Sequence, residues 1–374
     1  MNAGPTGDLG VRRAAVLGTG LIGGSIAAAL RARGADVVGW DHERDRAEQA
    51  RTRGVISETA DSVAKAVIGT DLAFVAVPVG AIAEVAVAAL RADASVVVSD
   101  VGSVKGTVVR AVEADAGDHV GRFVGGHPMA GSEQDGLDGA RAELFQGATW
   151  VLTPTDHTHP DAFATVRAAV AAFGAEAIAL TPRDHDLFVA TVSHVPQLAA
   201  STLMDVAIGV GAQHTTLLRL AAGGFRDMTR IAAGNPAIWP DILTGNQDAV
   251  LTSLDRYRQA LDEIRRMVAE GDRAGLLTML QRTRNARRSL PVGAAAADEL
   301  AELHVLVPDR PGVLAEITTL AGRLGVNVFD LEIAHSIEGD RGVMVLVVAA
   351  DDRCAVFESG LRDLGYAVTI GTFE

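Results

Sequence analysis

GTGLIGGS, residues 18–25, follows directly on a β-like run at 14–17 and opens a helical pattern over 22–33. Gly18, Gly20 and Gly23 stand in the G-x-G-x-x-G spacing. The first permits a tight turn, the second lets backbone approach a pyrophosphate, and the third lets the helix pack closely on the sheet. The helix N-terminus, with the amides of Leu21, Ile22 and Gly23, then faces the anion. A lone glycine match is weak; strand before and helix after is the context that gives it meaning. Working outward, 36–40, 72–77, 95–99, 122–124, 149–152 and 175–180 also read as strands. Several are continuous Val/Ala/Leu runs, as strands buried on both faces should be. Helical patterns at 81–91 and 161–173 complete the alternation. The expected fold over 11–181 is α/β, a Rossmann-type doubly wound parallel sheet.

Asp41 closes the second predicted strand, 18 residues after Gly23. A carboxylate there accepts hydrogen bonds from both ribose hydroxyls and repels a 2′-phosphate, so NAD is the expected cofactor. His42, Arg44 and Arg46 lie just beyond and would tolerate a phosphate.

The chain has 374 residues, 48% hydrophobic and 21% charged, which fits a folded protein of more than one domain. Its net charge of −14 disfavours nucleic acid and anionic membrane surfaces as partners. An anionic substrate therefore needs local basic groups. Cys354 is the only cysteine, so no internal disulfide forms. No apolar run reads as long enough to span a bilayer and no secretory signal is evident, so a cytoplasmic enzyme without a membrane partner is expected.

In open α/β sheets ligands bind beyond the carboxyl ends of the strands. Two polar runs fall there: SDVGSVKG (99–106) after the fourth strand and GGHPMAGSE (125–133) after the fifth. Ser103 and His127 are the candidate pair. A neutral imidazole takes the hydroxyl proton of a carbinol as hydride leaves the carbon, and a hydroxyl can orient the ring. Pro128 is read as pinning a turn just after His127. Lys105 lacks such a case, and a solvated lysine or a phosphate contact reads as readily as a catalytic one.

Residues 182–289 carry almost no β signal and read as an all-helical domain. On a straight helix His185 and His194, nine residues apart, fall on opposite faces and share a site only if the helix bends, for instance at Pro196. Arg226, Asp227 and Arg230 are placed so that Asp227 can orient Arg230 for a bidentate grip on a carboxylate. Nothing has metal-ligand spacing, so no metal is expected. After a linker at 287–300, residues 299–374 read as a βαββαβ unit.

Together GTGLIGGS, SDVGSVKG, GGHPMAGSE, ATVSHVPQ and GGFRDMTRIA resemble, in that order, the prephenate/arogenate dehydrogenase family over 11–284. The resemblance implies a nucleotide domain, a helical dimerisation domain that makes a homodimer, and an active site between them. It implies oxidative decarboxylation of prephenate by NAD, in tyrosine biosynthesis. His127 would deprotonate the ring hydroxyl and Ser103 would bond to His127. Arg230 would bind a substrate carboxylate, His194 would line the pocket, and Ser132 and Glu133 would help hold substrate. VPDRPGVLAEI (307–317) and NVFDLEI (327–333) resemble an ACT domain of ferredoxin-like order. That implies an amino-acid site around Asp309, Pro311, Gly312, Val313 and Asn327, and feedback by tyrosine. The rivals are arogenate as substrate, a β-hydroxyacid dehydrogenase (which needs an interdomain lysine not seen here), and a non-catalytic NAD sensor.

Overall fold

Alternating Val/Ala/Leu runs and amphipathic helices build a mixed eight-stranded sheet. In chain order its elements are β1 (Arg13–Leu17), α1 (Leu21–Arg31), β2 (Asp36–Trp40), α2 (Arg44–Thr52), β3 (Glu58–Thr59), α3 (Val63–Val67), β4 (Leu72–Val75), α4 (Val79–Ala92), β5 (Val97–Asp100), α5 (Gly106–Asp115), β6 (Phe123–Pro128), β7 (Thr149–Thr153), α6 (Pro160–Ala172) and β8 (Glu176–Ala179). The computed structural model describes residues 10–131, 136–211, 221–288, 300–308, 310–335 and 341–372. The strand order is β3-β2-β1-β4-β5-β6-β7-β8. Chain direction across the sheet reverses between β1 and β4, the switch point where dinucleotides bind in such folds.

Successive side chains of a strand face opposite ways, so each strand feeds two cores. On one face Val16, Phe74 and Trp150 pack with Ile26 and Leu30 of α1 and Val166 and Val170 of α6. On the other Leu17, Val75 and Val98 pack with Leu90 of α4 and Val112 of α5.

The sheet is not wholly parallel as expected. β6 and β7 pair antiparallel, with His127 opposite Val151 and Gly125 opposite Thr153. A parallel return needs a crossover, usually a helix; between β6 and β7 the described residues hold only a 3-10 turn, Gly136–Gly139. His127 therefore sits inside a strand rather than in the turn after one, because β6 runs on to Pro128.

The helical region comprises α7 (Pro182–Val189), a π-helical turn (Ala190–His194), α8 (Val195–Gly211), α9 (Gly223–Thr229), 3-10 turns at Arg230–Ala233 and Pro236–Ile238, α10 (Trp239–Gly245), α11 (Gln247–Glu270) and α12 (Arg273–Arg288). Thr181 caps α7 by accepting from the Asp184 amide, and Pro182 supplies a preset first φ. The continuous helix 182–210 corrects the expectation from the sequence, since it is long and apolar enough to cross a membrane by length and composition. It also carries buried His185, Asp186 and His194, which are bonded within the protein.

The chain divides into two compact units, Met1–Leu261 and Asp262–Glu374. The second contains β9 (Leu300–Pro308), α13 (Val313–Leu324), β10 (Val328–His335), β11 (Arg341–Ala349), α14 (Asp352–Asp363) and β12 (Ala367–Thr372). Its sheet is antiparallel in the order β10-β11-β9-β12. Leu303, Val305 and Val307 of β9 alternate inward onto Ile317, Phe357 and Leu361, which gives the expected βαββαβ unit a core of its own.

Candidate active site

The glycine-rich turn is shaped by close approach. Gly18 has φ +103°, and a Cβ there would lie 2.4 Å from the Ala76 carbonyl oxygen. A Cβ on Gly23 would lie 1.9 Å from the Gly18 carbonyl oxygen. At Gly20 a Cβ would meet nothing within 4 Å, and Gly20 caps α1 without a side-chain hydrogen bond. Approach to the backbone at Gly20, just before α1, is thus unobstructed, which suits a pyrophosphate at a helix N-terminus. Gly23→Ala is expected to weaken dinucleotide binding at least tenfold and to lower the melting temperature, because the contact is with rigid backbone. Cofactor titration by fluorescence and a thermal melt check both.

Asp41 has a further role that the sequence did not reveal. Its Oδ2 accepts from the Thr19 amide at 2.7 Å and the Thr19 hydroxyl at 3.0 Å, and its Oδ1 accepts from the Glu43 amide at 3.0 Å. The carboxylate therefore braces the glycine turn, with about one acceptor position left for a ribose hydroxyl. Arg46 is paired with Glu43 at 2.9 Å, and Arg44 lies 3.7 Å from Asp61. Two of the three groups that would tolerate a 2′-phosphate thus have a carboxylate neighbour.

Strands β5 and β6 are parallel neighbours, so the loop carrying Ser103 and the end carrying His127 lie side by side. Among the described residues, however, the His127 ring bonds to His185 and not to Ser103. His127 Nδ1 lies 2.8 Å from His185 Nε2. His185 Nδ1 lies 2.9 Å from Asp186 Oδ1. Asp186 in turn accepts the amides of Lys105 and Gly106, each at 2.8 Å, at the N-terminus of α5. Burial pushes the His127 pKa well below 6.5, and the facing His185, Lys105 and His194 push it the same way. The ring is thus neutral at neutral pH, with an accessible edge.

Lys105 corrects the solvated or phosphate reading. It is fully buried, and its ammonium donates to the buried Asp100 carboxylate and to the Gly126 carbonyl at 2.7 Å. Asp100 also accepts the amides of Gly102 and Gly126. This ion pair ties the β5 loop to the residue preceding His127. Burial lowers the Lys105 pKa, and Asp100 pulls it back up.

His194 and His185 share one neighbourhood, and the π turn, not Pro196, is the cause. Nine α-helical steps leave an offset of about 180°; one residue looped out removes about 100° of it. Asn246 links them, donating to the Asp186 carbonyl at 2.8 Å and lying 3.4 Å from His194 Nδ1. Burial lowers the His194 pKa to about 4, with His185 adding to the fall and Asp186 opposing it. Arg230 is exposed, and its segment packs against α8. No ion pair joins the Asp227 carboxylate to Arg230 among the described residues; α9 ends at Thr229 and the Arg230 amide donates to the Asp227 carbonyl. Ser132 and Glu133 lie outside the described residues, as does Asp309.

His185, Asp186, Asp100 and Asn246 were not singled out from the sequence as site residues. The adjacent His-Asp pair was the one visible signal, and a lone helical histidine is ordinarily core. In the C-terminal unit Gly312 caps α13 at φ +93° without a side-chain bond, Pro311 precedes it, and Val313 is buried. Asn327 is exposed immediately before β10. Among the described residues no cluster suited to a metal occurs.

Residues 26–179 match the family described as "Prephenate dehydrogenase, nucleotide-binding domain" and residues 181–282 match "Prephenate dehydrogenase, dimerization domain". Residues 303–366 match "AHAS small subunit-like ACT domain". A prephenate dehydrogenase of Bacillus subtilis is 33% identical, over 90% of this chain and 91% of its own. A solved prephenate dehydrogenase of A. aeolicus, in complex with hydroxyphenyl propionate and NAD+, is 30% identical at TM-score 0.69, over 74% of this chain and 97% of its own. A Synechocystis arogenate dehydrogenase is 32% identical at TM-score 0.66, over 74% of this chain and 98% of its own.

Proposed function

The chain belongs to the prephenate dehydrogenase family, and from that premise we propose that it oxidatively decarboxylates prephenate to 4-hydroxyphenylpyruvate with NAD. The observation that carries this reading is the imidazole of His127, held by His185 at the carboxyl end of a strand in the dinucleotide-binding sheet. Gly18, Gly20, Leu21, Ile22, Gly23 and Asp41 would hold the cofactor, which supplies the hydride acceptor when bound. His127 takes the hydroxyl proton while the carbon–hydrogen bond breaks. Decarboxylation then drives an electron pair into the ring, and the proton returns to the phenol oxygen. Aromatisation supplies the driving force, so the protein's task is to position groups and steady charge. Arg230 is assigned to a substrate carboxylate, with Ser103, His194, Ser132 and Glu133 around the ring.

The proposed division of labour is 11–181 for the dinucleotide, 182–289 for dimerisation and substrate, and 299–374 for regulation, in a cytoplasmic homodimer. Tyrosine is the proposed effector, its carboxylate resting on the uncapped α13 amides near Pro311, Gly312 and Val313, with Asp309 and Asn327 at the rim. Arogenate is the second reading, favoured by the likeness to the Synechocystis enzyme. NADH absorbance with each substrate, with and without tyrosine, decides. A kcat/KM advantage for arogenate overturns the first reading, and cofactor binding without turnover of either leaves a sensor.

Exposed apolar side chains on α8 support the proposed homodimer. Val206, Ile208 and Val210 of α8 are between 44 and 59% exposed. Val206→Asp with Ile208→Asp is expected to convert dimer to monomer in light scattering, with the far-UV spectrum unchanged.

A further inference from the structure

We infer that His185 and Asp186 are positioning residues that fix which nitrogen of His127 carries the lone pair. This rests on reading His127 as the base, but the order of hydrogen bonds stands on geometry alone. Asp186 accepts two backbone amides at the start of α5, Lys105 on Oδ1 and Gly106 on Oδ2. Those donors and the positive end of the helix hold it as an acceptor-only carboxylate. His185 Nδ1, 2.9 Å away, must then carry a hydrogen. With its one hydrogen on Nδ1, the His185 ring offers a lone pair at Nε2. His127 Nδ1, at 2.8 Å from that nitrogen, is left as the donor. The lone pair of His127 therefore lies on Nε2, the nitrogen free of a protein partner among the described residues.

The chain Asp186–His185–His127 sets a direction rather than carrying a proton. When a substrate O–H bond breaks, its proton joins His127 Nε2 and the oxygen pair closes the carbonyl as hydride leaves for the nicotinamide carbon. His127 becomes an imidazolium, whose Nδ1–H bond to His185 strengthens, with the Asp186 charge behind it. His185 keeps its proton and Asp186 stays ionised throughout. A buried ring of the wrong tautomer would offer an N–H where the reaction needs an acceptor.

The test uses the full-length chain labelled with ¹⁵N-histidine, with no substrate present, and His127→Asn to identify the His127 signals. The expected spectrum has a protonated Nδ1 and an unprotonated Nε2 at His127. His185→Leu removes the acceptor and should release this tautomer, lowering kcat on the order of 10²-fold with KM nearly unchanged. His185→Gln, whose amide oxygen can accept from Nδ1–H, should restore the tautomer and most of kcat. A wild-type His127 protonated at Nε2 overturns the inference, and needs no variant to fold. So does a folded His185→Leu that keeps wild-type tautomer and kcat. Because the spectrum needs no substrate, failure of the assignment to prephenate or arogenate appears separately, as an inactive enzyme with the expected tautomer.

Discussion

His127→Asn is expected to lower kcat by about 10²–10⁴-fold while KM changes little. The reasoning is that proton removal belongs to the transition state, whereas the ground-state grip on substrate is assigned to Arg230. Asparagine nearly preserves the shape, and its amide can still meet His185 Nε2, so the β6–β7 ladder should survive. A pH profile adds a second arm. Burial, reinforced by His185, Lys105 and His194, depresses the His127 pKa, so the wild-type acid limb of kcat/KM should lie well below pH 6.5. The same depression makes stability depend on pH. His127 and His194 bind protons more readily when unfolded, so their contribution is complete above about pH 6.5. It is lost as pH falls, for His194 through about 4. Stopped-flow rates and melts from pH 4 to 8 measure both. Wild-type kcat in the variant would remove His127 from the chemistry.

Lys105→Met is the larger test of the fold. It leaves the Asp100 carboxylate fully buried without its counter-charge, a change that costs about 3–5 kcal/mol. Two backbone amides still reach Asp100, which places the loss toward the lower end. A melting temperature lower by on the order of 10 °C is expected by calorimetry. Asp100→Asn in the same chain should recover part of it, because the orphaned charge is gone. The single variant should also slow turnover, since Lys105 holds the Gly126 carbonyl next to His127. An unchanged melting temperature would mean that the pair contributes nothing.

What could be read in advance followed local rules. The glycine turn and the parallel strands β1, β2, β4 and β5 are legible because runs of Val, Ala and Leu have one buried solution. The C-terminal βαββαβ unit is legible because its strands alternate and α13 starts and stops at glycines, Gly312 and Gly325. The antiparallel return of β7 was not legible, because no propensity marks the absence of a crossover. Lys105 was misjudged because lysine is almost never fully buried; only the distant Asp100 and Gly126 contacts make it so. His185 looked like an ordinary helical histidine, because its partner His127 reaches it only in the folded chain.

The π turn at Ala190–His194 makes the placement of His194 depend on the irregularity of its helix. The same residues wound as an unbroken α-helix would keep their composition and hydropathy and form a better helix. They would also carry His194 about 100° around the axis, away from Asn246 and Asp186. In this stretch regularity and function are opposed, so a stabilising redesign that straightened the helix would improve the scaffold and dismantle the pocket.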